Sequence, residues 1–216
     1  MISTGLKLAL MIGSAPAGGM GLLSHQILRL LYASQPENCL ELGGQLLAIM
    51  SVGVLFLAVV QTTTGMLQGL GKPSYPVKTL LVGIVAKTVL NYVLIGIPQI
   101  NVLGAAIATV VCYAIAALGN VYMVLKLSKT KLKPVDALVR PALAAGGMGA
   151  AVWGFVRLMG GRLGNTMLTL GAVCLGVLVY AVLAFVLRAL SKEDLALIPG
   201  GRRVARLMDK LGGKKA

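Results

Sequence analysis

Acidic side chains are scarce in this chain. Of its 216 residues only six are Asp or Glu: Glu37, Glu41, Asp136, Glu193, Asp194 and Asp209. All six fall in polar connections or in the tail, outside the long apolar runs. An intramembrane carboxylate relay for protons or sodium therefore has no member here. Paired carboxylates for hydrolysis are missing too. The one histidine, His25, sits near the end of the first apolar run and reads as an interfacial residue. The three cysteines, Cys39, Cys112 and Cys174, match no metal-site spacing and read as small apolar residues. Gly71-Lys72-Pro73 lacks the rest of a phosphate-binding loop. No catalytic constellation is left, so the chain does not read as an enzyme and calls for no cofactor or metal.

What the chain has in abundance is apolar sequence. It is 57% hydrophobic and 12% charged, against about 25% charged in ordinary soluble domains. Mean hydropathy is +0.89. Successive membrane-length runs predict an all-α integral membrane protein, because backbone polar groups in lipid must be satisfied within the segment. The runs do not alternate as barrel strands would. Six spans are predicted: 7–28, 43–70, 76–97, 102–127, 141–159 and 166–187. Lys7, LALMIG and SAPAGG could mimic a signal peptide, but that apolar core has only six residues. The preferred reading is a first span broken by Pro16. The short link IPQIN, 97–101, predicts a tight antiparallel hairpin of spans three and four.

Basic residues divide unevenly between the two sides. Sixteen of the 20 Lys and Arg fall on the side of the N-terminus, the loops after spans two and four, and the tail. Three, Arg29, Arg157 and Arg162, fall on the other. The positive-inside rule then puts both termini in the cytoplasm. Topology thus explains the net charge of +14 without nucleic acid. The predicted organisation is four helices over 1–128, a basic cytoplasmic loop over 129–140, two further spans over 141–188 and a basic tail over 189–216. In the tail, Val204, Leu207, Met208 and Leu211 fall opposite Arg203, Arg206 and Lys210. That pattern suits either anionic membrane lipids or a solvated, topology-setting tail.

One charge is out of place. Lys87 lies mid-span in LLVGIVAKTVLNYVLIGIP, residues 80–98, where a charge costs about 2.5 kcal/mol or more. Gly83, Lys87 and Asn91 share one helical face, and Gln61, Thr64 and Gln68 share another in the preceding span. Two polar stripes in consecutive spans predict a polar interior. Lys87, Asn91, Gln61, Thr64 and Gln68 are therefore the candidate cavity residues. The alternative is a structural lysine bonded to helix carbonyls or to Gln61.

The segment MLQGLGKPSYPVKTLLVGIVAKTVLNYVLIGIPQINVLGAAIAT, residues 66–109, resembles a known family. Its QGLGKP, its lysine followed by LN, its IP-x-IN turn and its GAAIAT are similar to the stage V sporulation protein B branch of polysaccharide-export proteins. That branch belongs to the multidrug/oligosaccharidyl-lipid/polysaccharide exporter superfamily, with the lipid II flippase as a relative. SHQILRLLY, residues 24–32, resembles the end of an earlier helix in the same proteins. The resemblance implies helices nine to fourteen of a fourteen-helix flippase in a bacterial inner membrane. Its substrate would be a lipid-linked saccharide. It would work with an N-terminal lobe that carries much of the cationic cavity. Alternatives are a cation-coupled drug exporter of the same superfamily and a membrane scaffold for cell-envelope synthesis. A glycan-polymerising enzyme should show a large outer loop, and the loops here are short.

Overall fold

The computed structural model describes residues 2–98, 100–128, 139–160 and 164–186. Seven helices account for nearly all of them: α1 (Ile2–Leu22), α2 (Ser24–Leu31), α3 (Glu37–Gly69), α4 (Ser74–Ile95), α5 (Asn101–Ser128), α6 (Arg140–Met159) and α7 (Asn165–Val186). Five are long and apolar enough to cross a membrane, and α1 with α2 makes a sixth if the bent pair is one span. The chain is thus an all-helical, multi-pass membrane protein. Most of the expected basic loop, 129–140, and all of the expected amphipathic tail, 189–216, lie outside the described residues.

The first span differs from expectation. Helix α1 runs through Pro16 without a break, and the chain bends by 74° at Leu23, between α1 and α2. Proline removes one backbone donor, and a helix in lipid tolerates this where neighbours re-satisfy the freed groups. Near the proline, the Tyr180 hydroxyl of α7 donates to the Met11 carbonyl at 2.7 Å. Ser14 Oγ lies 2.8 Å from the same hydroxyl. The polar contacts thus hold α1 to α7 beside the proline.

Two of the short motifs are chain-reversal chemistry. Helix α3 ends in a Schellman motif: the Lys72 N–H donates to the Leu67 carbonyl at 2.9 Å and the Gly71 N–H to Gln68 at 3.0 Å. Gly71 has φ +72, the left-handed conformation that favours glycine. Pro73 then closes the helix to further extension. At the other end of α4, Asn101 adopts φ 37, which asparagine tolerates better than other side chains. Its N–H donates to the Ile97 carbonyl at 2.9 Å. QGLGKP and IP-x-IN are therefore explained by geometry before any ligand is invoked.

The helices pack as a row in the order α4, α5, α3, α1, α6, α7, with α2 folded over the ends of α3 and α7. Close approach at small residues makes the row possible, as expected where lipid supplies no hydrophobic drive between helices. A Cβ on Gly83 would lie 2.8 Å from the Cys112 carbonyl oxygen, and one on Gly104 would lie 2.6 Å from Leu94 Cβ. Between α1 and α3, a Cβ on Gly13 would meet Ala58 at 2.9 Å. Ala108, Ala116 and Ala117 of α5 are buried between its neighbours. Gly146 and Gly154 of α6, by contrast, have open space above them. Across the turn from α2 to α3, Arg29 pairs with Glu37.

Candidate functional site

The polar residues of α3 and α4 meet through a third helix. Thr79 Oγ1 of α4 donates to Asn120 Oδ1 of α5 at 2.6 Å. Asn120 Nδ2 donates in turn to Thr64 Oγ1 of α3 at 3.4 Å. Asn120 is fully buried. Of the five candidate residues, only Thr64 belongs to this node. Gln61 and Gln68 are exposed on α3. Lys87 and Asn91 are half-buried on α4. Helices α3 and α4 scarcely touch, because α5 lies between them.

The register fixes the heights. Thr79 sits opposite Asn120, Gly83 opposite Cys112 and Leu94 opposite Gly104. Lys87 is eight residues past Thr79, so it lies about 12 Å along the axis from the Thr64–Asn120–Thr79 node. It is also about 12 Å from the end of α4, which keeps it at mid-depth. On the helical wheel it falls about 40° from Gly83, at the rim of the α4–α5 contact. Asn91 Oδ1 is screened from solvent and has no hydrogen-bond partner among the described residues. Lys87 lies one turn before that acceptor, within reach of a lysine side chain.

Asn120 was legible but overlooked. It is the one amide in the predicted 102–127 span, and the argument that singles out Lys87 applies to it equally. Removing its side chain should loosen three helices at once. Asn120→Ala is expected to cost about 1–2 kcal/mol, given that interhelical hydrogen bonds in membranes average well under 2 kcal/mol. A double-mutant cycle with Thr79→Val, read by unfolding in mixed micelles, should show a coupling of about 1 kcal/mol. Strict additivity would mean that the contact carries nothing.

Among the described residues, two cavities lie away from α4, toward the other end of the row. The larger, about 550 Å³, is an apolar groove bounded by Ala15 and Gly19 of α1, Met148 and Val152 of α6, and Ala172 and Gly176 of α7. No charged side chain lines it. The small residues hollow it out, while the larger Met148 and Val152 form its floor with Leu23. A smaller cavity of about 390 Å³ separates α1, α3 and α6 and has Ser14 and Ser51 in its wall. The groove can take an apolar chain or ring system of ligand size. The α4 rim offers a cation and an amide oxygen. These are different chemistries on different parts of the row.

The chain is similar in sequence to known bacterial proteins. Residues 1–93 match the family model described as MatE. The uncharacterized membrane protein YabM of Bacillus subtilis (strain 168) is 25% identical over 214 residues, covering 96% of this chain and 38% of YabM. The probable multidrug resistance protein YpnP of the same organism is 32% identical over 121 residues, covering 56% of this chain and 26% of YpnP. The chain thus spans less than two fifths of the length of either relative. No solved structure matches it.

Proposed function

We propose, taking the similarity to the MatE exporters as premise, that these helices form part of a flippase for a lipid-linked saccharide. In this reading 1–128 contributes four helices of a second transporter lobe, and 141–188 adds two helices beside it. The basic segments 129–140 and 189–216 lie on the cytoplasmic side with both termini, and the tail meets anionic lipids. The observation that carries the reading is the apolar groove on membrane-spanning helices, about 550 Å³ and free of charge. It suits an acyl or isoprenoid tail that stays at bilayer depth while the headgroup crosses. Lys87 would meet a phosphate or sugar acid of that headgroup, with Asn91, Gln61, Thr64 and Gln68 on the same path. Transport would proceed by alternating access, one lobe rocking against the other around the substrate. The other lobe is the partner this mechanism needs.

A second reading has one observation in its favour. YpnP is named a probable multidrug resistance protein, and a cation-coupled drug exporter would use the same scaffold. Proteoliposomes carrying the full-length polypeptide separate the two. A fluorescent lipid-linked disaccharide is placed in both leaflets, and a membrane-impermeant reagent reports how fast inner-leaflet headgroups emerge. Protein-dependent emergence without efflux of a cationic dye is the expected result. Dye efflux driven by a proton or sodium gradient, with no saccharide movement, would overturn the flippase reading.

A further inference from the structure

We propose that the end of the molecule where α3 stops, α4 starts and α5 stops is a seat for the phosphodiester headgroup of an anionic membrane lipid. Four observations converge there. The first is register. The Thr79–Asn120 hydrogen bond of 2.6 Å fixes the antiparallel pairing of α4 and α5. Counting six residues outward from each partner brings Lys126 level with Pro73. Lys72 and Lys78 flank that level on the chain. Three ammonium groups from three successive elements are thus gathered at one membrane boundary.

The second observation is the absence of a counter-charge. Lys72, Lys78 and Lys126 are all exposed, and none makes an ion pair among the described residues. The only described acids, Glu37 and Glu41, are in the first turns of α3, at its opposite end. The third is aromatic support. Lys78 Nζ lies 5.8 Å from the Tyr75 ring centroid and Lys126 Nζ 5.9 Å from that of Tyr122. Such contacts hold an ammonium near the headgroup level, where tyrosine is itself at home.

The fourth is the positive end of a helix dipole. The α4 N-terminus has Pro73 in the cap position and no side-chain cap. In its first turn Tyr75 already donates to the Lys72 carbonyl at 3.3 Å and Pro76 has no N–H, so Ser74 supplies the outward donor. A phosphate there would meet that donor, the dipole and the lysine charges together. The occupant is a membrane lipid because the seat is built from the ends of apolar spans, so its phosphate would arrive already concentrated at that height. This site is separate from the groove and from Lys87, and it stands whichever substrate the protein moves.

The test uses the full chain in detergent, with bound lipid counted by native mass spectrometry. Phosphatidylglycerol and phosphatidylcholine are the probes. The triple variant Lys72→Gln/Lys78→Gln/Lys126→Gln is compared with Lys7→Gln/Arg29→Gln/Arg157→Gln, which removes equal charge from α1, α2 and α6. The first should retain phosphatidylglycerol at least about tenfold more weakly, since each lysine near an anionic surface is worth about fivefold. The second triple should behave like the parent, and phosphatidylcholine should not be retained by either. Equal losses in both triples would reduce the effect to net charge and overturn the seat. So would displacement of the lipid by millimolar inorganic phosphate, which would mark a free-anion site. Should the first triple fail to fold, the three single Lys→Gln variants carry the test, each expected to lose about fivefold.

Discussion

Gly83→Leu is expected to leave no stably packed α4. A Cβ at this position would stand 2.8 Å from the Cys112 carbonyl oxygen and 3.0 Å from its sulfur. The oxygen belongs to the backbone of α5, so it cannot swing aside as a side-chain tip would. Even Gly83→Ala must push the helices apart, at a cost of about 1–3 kcal/mol. Leucine adds three more carbons in the same direction. Helix α4 has little else to hold it, because its remaining face is open: Leu81, Val85 and Val89 are each about 60% exposed. Thermal unfolding in detergent is one readout. The reactivity of Cys112, buried in the parent, is a second and more local one. A maleimide that labels Cys112 faster in Gly83→Ala would report the separation directly. Gly65→Ala serves as the control, since nothing lies within 4 Å of its added carbon. If Gly83→Ala proved as harmless as Gly65→Ala, the close α4–α5 contact would be wrong.

The second large effect concerns Lys87. In the full-length transporter, Lys87→Ala is expected to slow translocation of an anionic lipid-linked substrate by about tenfold to a hundredfold. That range corresponds to one charge-assisted hydrogen bond of about 1.5–3 kcal/mol. Lys87→Arg should keep much of the rate, because the charge stays and the reach is similar. Folding should hardly change in either variant, since Lys87 makes no hydrogen bond or ion pair among the described residues and lies at the rim of the contact. The structural alternative predicts the reverse pattern. If Lys87 serves mainly to satisfy the orphaned Asn91 Oδ1, then Lys87→Ala should lower the unfolding temperature and leave the rate per folded molecule unchanged. Measuring both quantities on the same variant decides between them. An unchanged rate would remove Lys87 from the substrate path.

The contrast between these residues shows what a sequence of this kind displays. Span positions were readable because each run had to supply its own backbone hydrogen bonds over membrane length. The hairpin link was readable for the same reason, and Asn101 and Gly71 explain its neighbouring turns in dihedral terms. Pro16 misled because helix α1 continues through it, and the contacts that hold this part of α1, from Tyr180 to Met11 and Ser14, come from a residue 166 or more positions away in sequence. The bend at Leu23 follows Gly18, Gly19 and Gly21 and precedes Ser24, a local signal that the nearby proline outweighed. The polar stripes of α3 and α4 follow from helical spacing within each helix. What they could not reveal is that α5 stands between them, so that Thr64 reaches Thr79 only through Asn120. Helical periodicity gives the face of an element and never the neighbour it faces.

The lopsided burial of α4 also has an evolutionary consequence. One edge of this helix is keyed to α5 at Thr79, Gly83 and Leu94, while the rest of its circumference meets no described helix closely. Selection should therefore act on it with a helical beat. Substitutions should be purged about every third or fourth residue along the keyed edge. Between those positions, Leu81, Val85, Val89 and Val93 should drift among apolar side chains of any shape. Among descendants of a common ancestor, α4 would look like a poorly preserved segment by average identity and a tightly preserved one along a single line.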